Sequence, residues 1–91
     1  GPTDHILATY QSYGIPTSQY VIGIKGFAVF KNASGSVVCS IPLSGGEVST
    51  GGNTYSVKVG NLTNQVNLHF NAPALSPTTV ECRALIEFGS I

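Results

Sequence analysis

The sequence predicts an all-β fold, a small antiparallel sandwich of six or seven short strands. Three observations predict it. Thr79 to Phe88 alternates strictly, with Val80, Cys82, Ala84, Ile86 and Phe88 on one side and Glu81, Arg83, Leu85 and Glu87 on the other. Successive side chains of a strand leave opposite faces, so this period of two marks a half-buried strand, whereas a helix would scatter the five apolar groups around its circumference. Other β-branched and aromatic runs are bounded by Gly, Pro, Asn and Ser, and no segment repeats at helical spacing.

Each element follows in chain order. Ile6 to Tyr10 is a first strand with a loose pattern, and Gly14-Ile15-Pro16-Thr17-Ser18 is a loop, because Pro16 drives Ile15 out of the helical region. Tyr20 to Lys31 is a strand with Ile22, Ile24, Ala28 and Phe30 on its core face. Gly23 and Gly26 within it mark a bulge, a bend or a close backbone approach. Asn32-Ala33-Ser34-Gly35-Ser36 has turn chemistry and joins that strand to Val37–Ile41 as a hairpin. Pro42 ends the ladder, and Glu47-Val48-Ser49 is at most a short edge strand between two glycine pairs. Thr54–Val59 turns Tyr55, Val57 and Val59 inward, Gly60-Asn61 starts a turn, and Gln65–Asn71 turns Val66, Leu68 and Phe70 inward. Pro73 and Pro77 break the loop before the last strand, since neither donates to a ladder.

Ninety-one residues make one domain with a modest core. Four basic and four acidic residues cancel, so no field steers the chain toward nucleic acid or anionic lipid. No apolar run approaches the roughly twenty residues of a membrane-spanning helix. Gly1-Pro2 suits a cleaved-tag remnant, and the chain reads as a domain excised from a larger surface glycoprotein.

Cys39 and Cys82, the two cysteines, both fall on core faces of strands. A disulfide between them is the favoured reading, with two buried thiols as the alternative; closing so long a loop contributes roughly 4 kcal/mol in the chain-entropy estimate. The sequons Asn32-Ala33-Ser34 and Asn61-Leu62-Thr63 fall in expected turns, where glycans are accommodated.

No catalytic group assembles. Glu81 and Glu87 share a face but stand about 20 Å apart along a strand, too far for acid–base work in concert. Ser44-Gly45-Gly46 lacks the lysine and helix of a phosphate loop, and two cysteines with two scattered histidines give no metal cluster. The chain is therefore expected to be non-catalytic and to need no cofactor. His5 and His69 read as solvated imidazoles, with a pH sensor as the sharper alternative for His69. Tyr13, Ile15 and Tyr20 are candidates for an interface or for core and edge packing. With turns every eight to twelve residues, the strand pattern fits an immunoglobulin-like sandwich spanning 1–91, without the tryptophan that packs on the disulfide of antibody domains.

The run Val66-Asn67-Leu68-His69-Phe70, then Ser76-Pro77, then Val80 and Cys82, resembles the C-terminal part of domain III of the alphavirus membrane-fusion glycoprotein. Upstream, Phe27-Ala28-Val29-Phe30-Lys31 followed by the polar turn and Cys39 resembles the strand that supplies the bridging cysteine there. The chain lacks that domain's further cysteines near both ends, and its Cys39–Cys82 spacing is longer. The resemblance thus implies a divergent class II fusion protein, viral or a eukaryotic cell-fusion relative. Its implied role is mechanical: the domain relocates during membrane fusion and packs on the core of a homotrimer. The implied partners are other domains of the same glycoprotein, at a virion or cell surface, with the membrane reached only through segments outside this chain. Tyr13, Ile15, Tyr20 and His69 are the candidate docking residues. A bacterial pilin or adhesin module, and a secreted receptor- or carbohydrate-binding sandwich, are the competing expectations.

Overall fold

The computed structural model describes the backbone of residues 6–62, 64–73 and 78–91, and the side chains of 12–61, 64–73 and 78–91. Gly1-Pro2, His5, Thr63 of the second sequon and Ser76-Pro77 lie outside the described residues. The strands are β1 (Ile6–Gly14), β2 (Gln19–Lys25), β3 (Phe27–Lys31), β4 (Val37–Pro42), β5 (Gly46–Thr50), β6 (Asn53–Leu62), β7 (Gln65–Pro73), β8 (Thr79–Cys82) and β9 (Leu85–Ser90). No helix occurs among the described residues, and every strand pair is antiparallel.

Turn chemistry sets the hairpins. Asn32 Oδ1 accepts hydrogen bonds from the Ser34 and Ser36 amides, at 3.0 Å each, and from Ser34 Oγ at 2.7 Å. This side-chain cap fixes the β3–β4 turn, with Gly35 at φ 83°. Between β5 and β6, Gly51 and Gly52 both take positive φ, as a two-residue turn matched to strand twist requires.

Three sheets result, ordered β1-β7-β6-β5, β4-β3-β8 and β2-β9. The last two share one ribbon. Lys25 faces Leu85 and Ala28 faces Cys82, three residues further along each strand, so the register carries through Gly26 without a gained or lost residue. The stretches expected as single strands, 20–31 and 79–88, are each one strand line bent in its middle. Gly26 has φ 121°, and a Cβ there would collide with the Arg83 carbonyl oxygen, so the bend is also a close crossing of two backbones.

Lettered in chain order with β2–β3 as B and β8–β9 as G, the sandwich has a four-stranded sheet A-F-E-D and a three-line sheet C-B-G. Constant-type immunoglobulin domains order their strands A-B-E-D and C-F-G. Strands B and F have therefore exchanged sheets relative to that arrangement.

The core lies between the sheets. Ala28, Phe30 and Ile41 from one side meet Tyr55, Val57, Leu68, Phe70 and Ala72 from the other, with Leu43 closing one end. The Phe30 and Tyr55 rings, centroids 5.4 Å apart and tilted 60°, carry the contact across the gap. The faces expected for 54–59, 65–71 and 79–88 all hold, including Val80, Cys82 and Ala84 packed against the core. Ile22 does not follow its expected face. The ladder shifts between Val21 and Gly23, and the resulting bulge leaves Ile22 62% exposed.

The cysteines are not bridged. Both thiols are free. Cys39 lies on β4 opposite Phe30 and Cys82 lies on β8 opposite Ala28, so β3 runs between them. Two strand spacings separate their backbones by roughly 9.5 Å or more, beyond the reach of a disulfide. Both do occupy the core face, as the alternation requires. Melting temperature is therefore expected to be unchanged by reductant, and the unfolded chain to titrate two thiols with a disulfide-sensitive dye. A transition lowered by reductant would contradict this arrangement.

Candidate interaction surface

The two outer faces of the sandwich differ in chemistry. On the four-stranded sheet, cross-strand neighbours Lys58 and His69 are exposed, and Ser56 faces Asn71. Ser49 and Thr54 share a hydroxyl hydrogen bond at 3.1 Å, and Ser12 Oγ donates to Gln65 Oε1 at 3.0 Å. The described side chains of this face are polar, with Lys58 and His69 exposed and Ser56 and Asn67 buried.

The other side collects the apolar exposure. Among the described residues, the exposed large hydrophobic ones are Tyr20, Ile22, Phe27, Val37, Leu85 and Ile91. All belong to β2, β3, β4 and β9 or directly follow β9, and none belongs to β5, β6 or β7. Strand alternation explains the placement: Phe27 and Leu85 have the parity that points away from Phe30 and Ile86. Tyr20 lies across Gly89, where an added Cβ would run into its ring. β2 and β9 contact chiefly each other, so this half of the ribbon stands off the sandwich, and the molecule measures 46 × 25 × 17 Å.

Charges punctuate the surface. Lys25 Nζ meets Glu87 Oε1 at 2.7 Å and Lys31 Nζ meets Glu81 Oε2 at 2.9 Å. The Glu87 hydrogen bond, and then its charge, hold the Lys25 ammonium above its ordinary range. Arg83 has no carboxylate within ion-pair distance among the described residues. It lines a groove of about 340 Å³ at the bend, with Phe27, Val29, Glu81 and Cys82. An aromatic surface, an uncommitted guanidinium and a neutralised carboxylate suit contact with another protein.

The residues expected to form one docking surface do not come together. Tyr13 packs against the core, and its hydroxyl hydrogen-bonds with the Cys82 thiol; burial first, then Cys82, push its pKa up. Ile15 is half-buried, its amide donating to the Asn64 carbonyl at 2.9 Å. His69 sits on the polar sheet, on a different sheet from Tyr20. Only Tyr20 belongs to the apolar surface. Asn32 sits at its turn as expected, whereas Asn61 lies within β6, opposite Val66, rather than in a turn.

Burial also pushes the Cys39 thiol up, which keeps it protonated and unreactive near neutral pH. Among the described residues, no group of three His, Cys, Asp or Glu side chains is placed to hold a metal ion. The residues that sequence reasoning missed are Phe27, Leu85 and Arg83. For Phe27 and Leu85 the signal was an apolar side chain on the charged side of an alternating strand; Arg83 carried none. No protein-family model, curated protein or solved structure matches the chain.

Proposed function

We infer that the chain is a non-catalytic protein-interaction module that docks through the outer face of β2, β3, β4 and β9. One observation carries this reading: among the described side chains, the large exposed apolar ones gather on that side, while those on the outer face of the opposite sheet are polar. Large apolar side chains gathered on one outer face, interleaved with charged pairs, suit a protein-interaction site.

A narrower form is domain III of a class II fusion glycoprotein, displayed at a virion or cell surface and packing on a trimer core. The resemblance over 66–82 and the two-layer architecture support it. The missing bridge and the exchanged B and F strands weigh against it. Excess isolated domain blocking membrane fusion by a parent glycoprotein is the result that form requires.

The broader reading is tested on the chain itself. The wild type is expected to bind an anilinonaphthalene dye in its native state. Phe27→Ser with Leu85→Ser is expected to reduce that signal several-fold while changing stability by only about 0.5 kcal/mol per site, as for other surface substitutions. A native state that leaves the dye unbound, or a double variant that unfolds, would remove the reading.

A further inference from the structure

β9 has one edge paired with β2 and the other covered by no strand among the described residues. Exposed edges are normally blunted. β2 carries the bulge at Ile22, β4 ends at Pro42 and β5 is only five residues long, whereas β1 (Ile6–Gly14) is a second long edge, paired among the described strands with β7. The β9 line has neither a bulge nor a proline, and its outward side chains run Arg83, Leu85, Glu87.

The geometry points to a second copy of the chain on that edge, the two β9 strands pairing antiparallel about a twofold axis through Leu85. This rests on the reading of the chain as an interaction module and names its partner. A twofold axis normal to a sheet must pass through a pair of identical residues, so the registers can be examined one by one. Centring on Leu85 sets Arg83 of each copy opposite Glu87 of the other, twice, and Leu85 against Leu85. Opposite charges directly across a ladder stabilise, and like charges destabilise. Centring on Ala84 sets Glu81 against Glu87 twice. Centring on Arg83 or on Glu87 opposes each to itself. Centring on Ile86 leaves Arg83 facing Gly89 and Leu85 facing Glu87, and centring on Cys82, on β8, opposes Arg83 to Glu81, which already holds Lys31.

The Leu85 register agrees with the rest of the surface. Arg83 has no carboxylate partner among the described residues, and Glu87 contacts Lys25 through Oε1, leaving Oε2 for a second cation. Leu85 is 61% exposed and gains a partner of its own kind. On the core face, Ala84 comes opposite Ile86 of the second copy and Cys82 opposite Phe88, so the apolar side continues across the axis.

Sedimentation of the full chain over a concentration series tests this. The wild type is expected to move from monomer to dimer with rising concentration. Arg83→Glu and Glu87→Arg are each expected to weaken the dimer at least tenfold, because each opposes like charges twice. An equimolar mixture of the two variants is expected to form a heterodimer of near wild-type affinity, since both pairs are then opposite in sign. Thermal melts report whether either variant fails to fold. Independently of charge, Leu85→Cys under oxidised glutathione is expected to give a covalent dimer, and Ile22→Cys of similar exposure is not. A wild type monomeric to about millimolar, variants that dimerise like wild type, a mixture that stays monomeric, or no excess cross-linking at Leu85→Cys would each overturn the proposal. A monomer that still binds the dye through Phe27 and Leu85 would leave the interaction reading standing and remove only the self-pairing.

Discussion

Phe30→Ala is expected to be the most damaging single truncation in the molecule. The ring is fully buried and is the aromatic bridge from β3 to Tyr55 of the facing sheet. Truncating a buried phenylalanine loses its transfer free energy and leaves a cavity, together about 3–5 kcal/mol. A chain of 91 residues has roughly 5–14 kcal/mol of total stability, so the variant retains at best part of it. In urea the midpoint should fall by more than about 1 M at an unchanged slope, given slopes of about 1–3 kcal/mol/M for small proteins. A loss below about 1 kcal/mol would mean that the two sheets do not pack through this ring.

The second large effect is expected at a residue with no side chain. Gly26→Ala meets two obstacles at once. Its φ of 121° is one that residues with a Cβ rarely adopt, and the added methyl would run into the Arg83 carbonyl and approach Leu43 Cδ1 to 3.1 Å. Leu43 is held there, since its amide donates to the Gly26 carbonyl at 3.0 Å. Backbone strain alone is worth about 1–3 kcal/mol, and the collision adds to it. Gly35→Ala is the control: Gly35 also has positive φ, but open space surrounds its Cβ position. Gly26→Ala is expected to cost at least about 2 kcal/mol more than Gly35→Ala in the same denaturation measurement. Equal costs would show that φ alone, and not the crossing of two backbones, requires the glycine.

Much of this molecule is legible in its sequence because alternation reports faces directly. Val80, Cys82, Ala84, Ile86 and Phe88 all lie on the more buried side of their strand line, and Tyr55, Val57, Leu68 and Phe70 all reach the core. What alternation does not encode is neighbourhood. Cys39 and Cys82 share the core face, but which strand runs between them is a property of sheet order, set by contacts distant in sequence. Ile22 shows a related failure. One unpaired residue in a ladder reverses a side chain without disturbing composition, and Gly23 beside it signalled only that some irregularity was near. Gly26 was legible as one of three possibilities and proves to be two of them, a bend and a close approach.

The candidate surface was half visible in the same way. Leu85 shares a side with Glu81, Arg83 and Glu87, and Phe27 shares one with Lys25 and Lys31, yet alternation alone marks neither as an interaction residue. Tyr13 takes the core-packing alternative of its two expectations; in sequence, a tyrosine at a strand end looks the same whether its hydroxyl meets water or a thiol from the facing sheet.

The unbroken register across the bend limits how the chain can change length. One residue added between Cys82 and Leu85 would turn the whole of β9 over, placing Leu85 and Glu87 against the protein and Ile86 and Phe88 in water. The segment is exposed, yet insertions there are structurally forbidden in odd numbers. The hairpin tips at Ser34-Gly35 and Gly51-Gly52 carry no such parity and are where natural or engineered additions have room to accumulate.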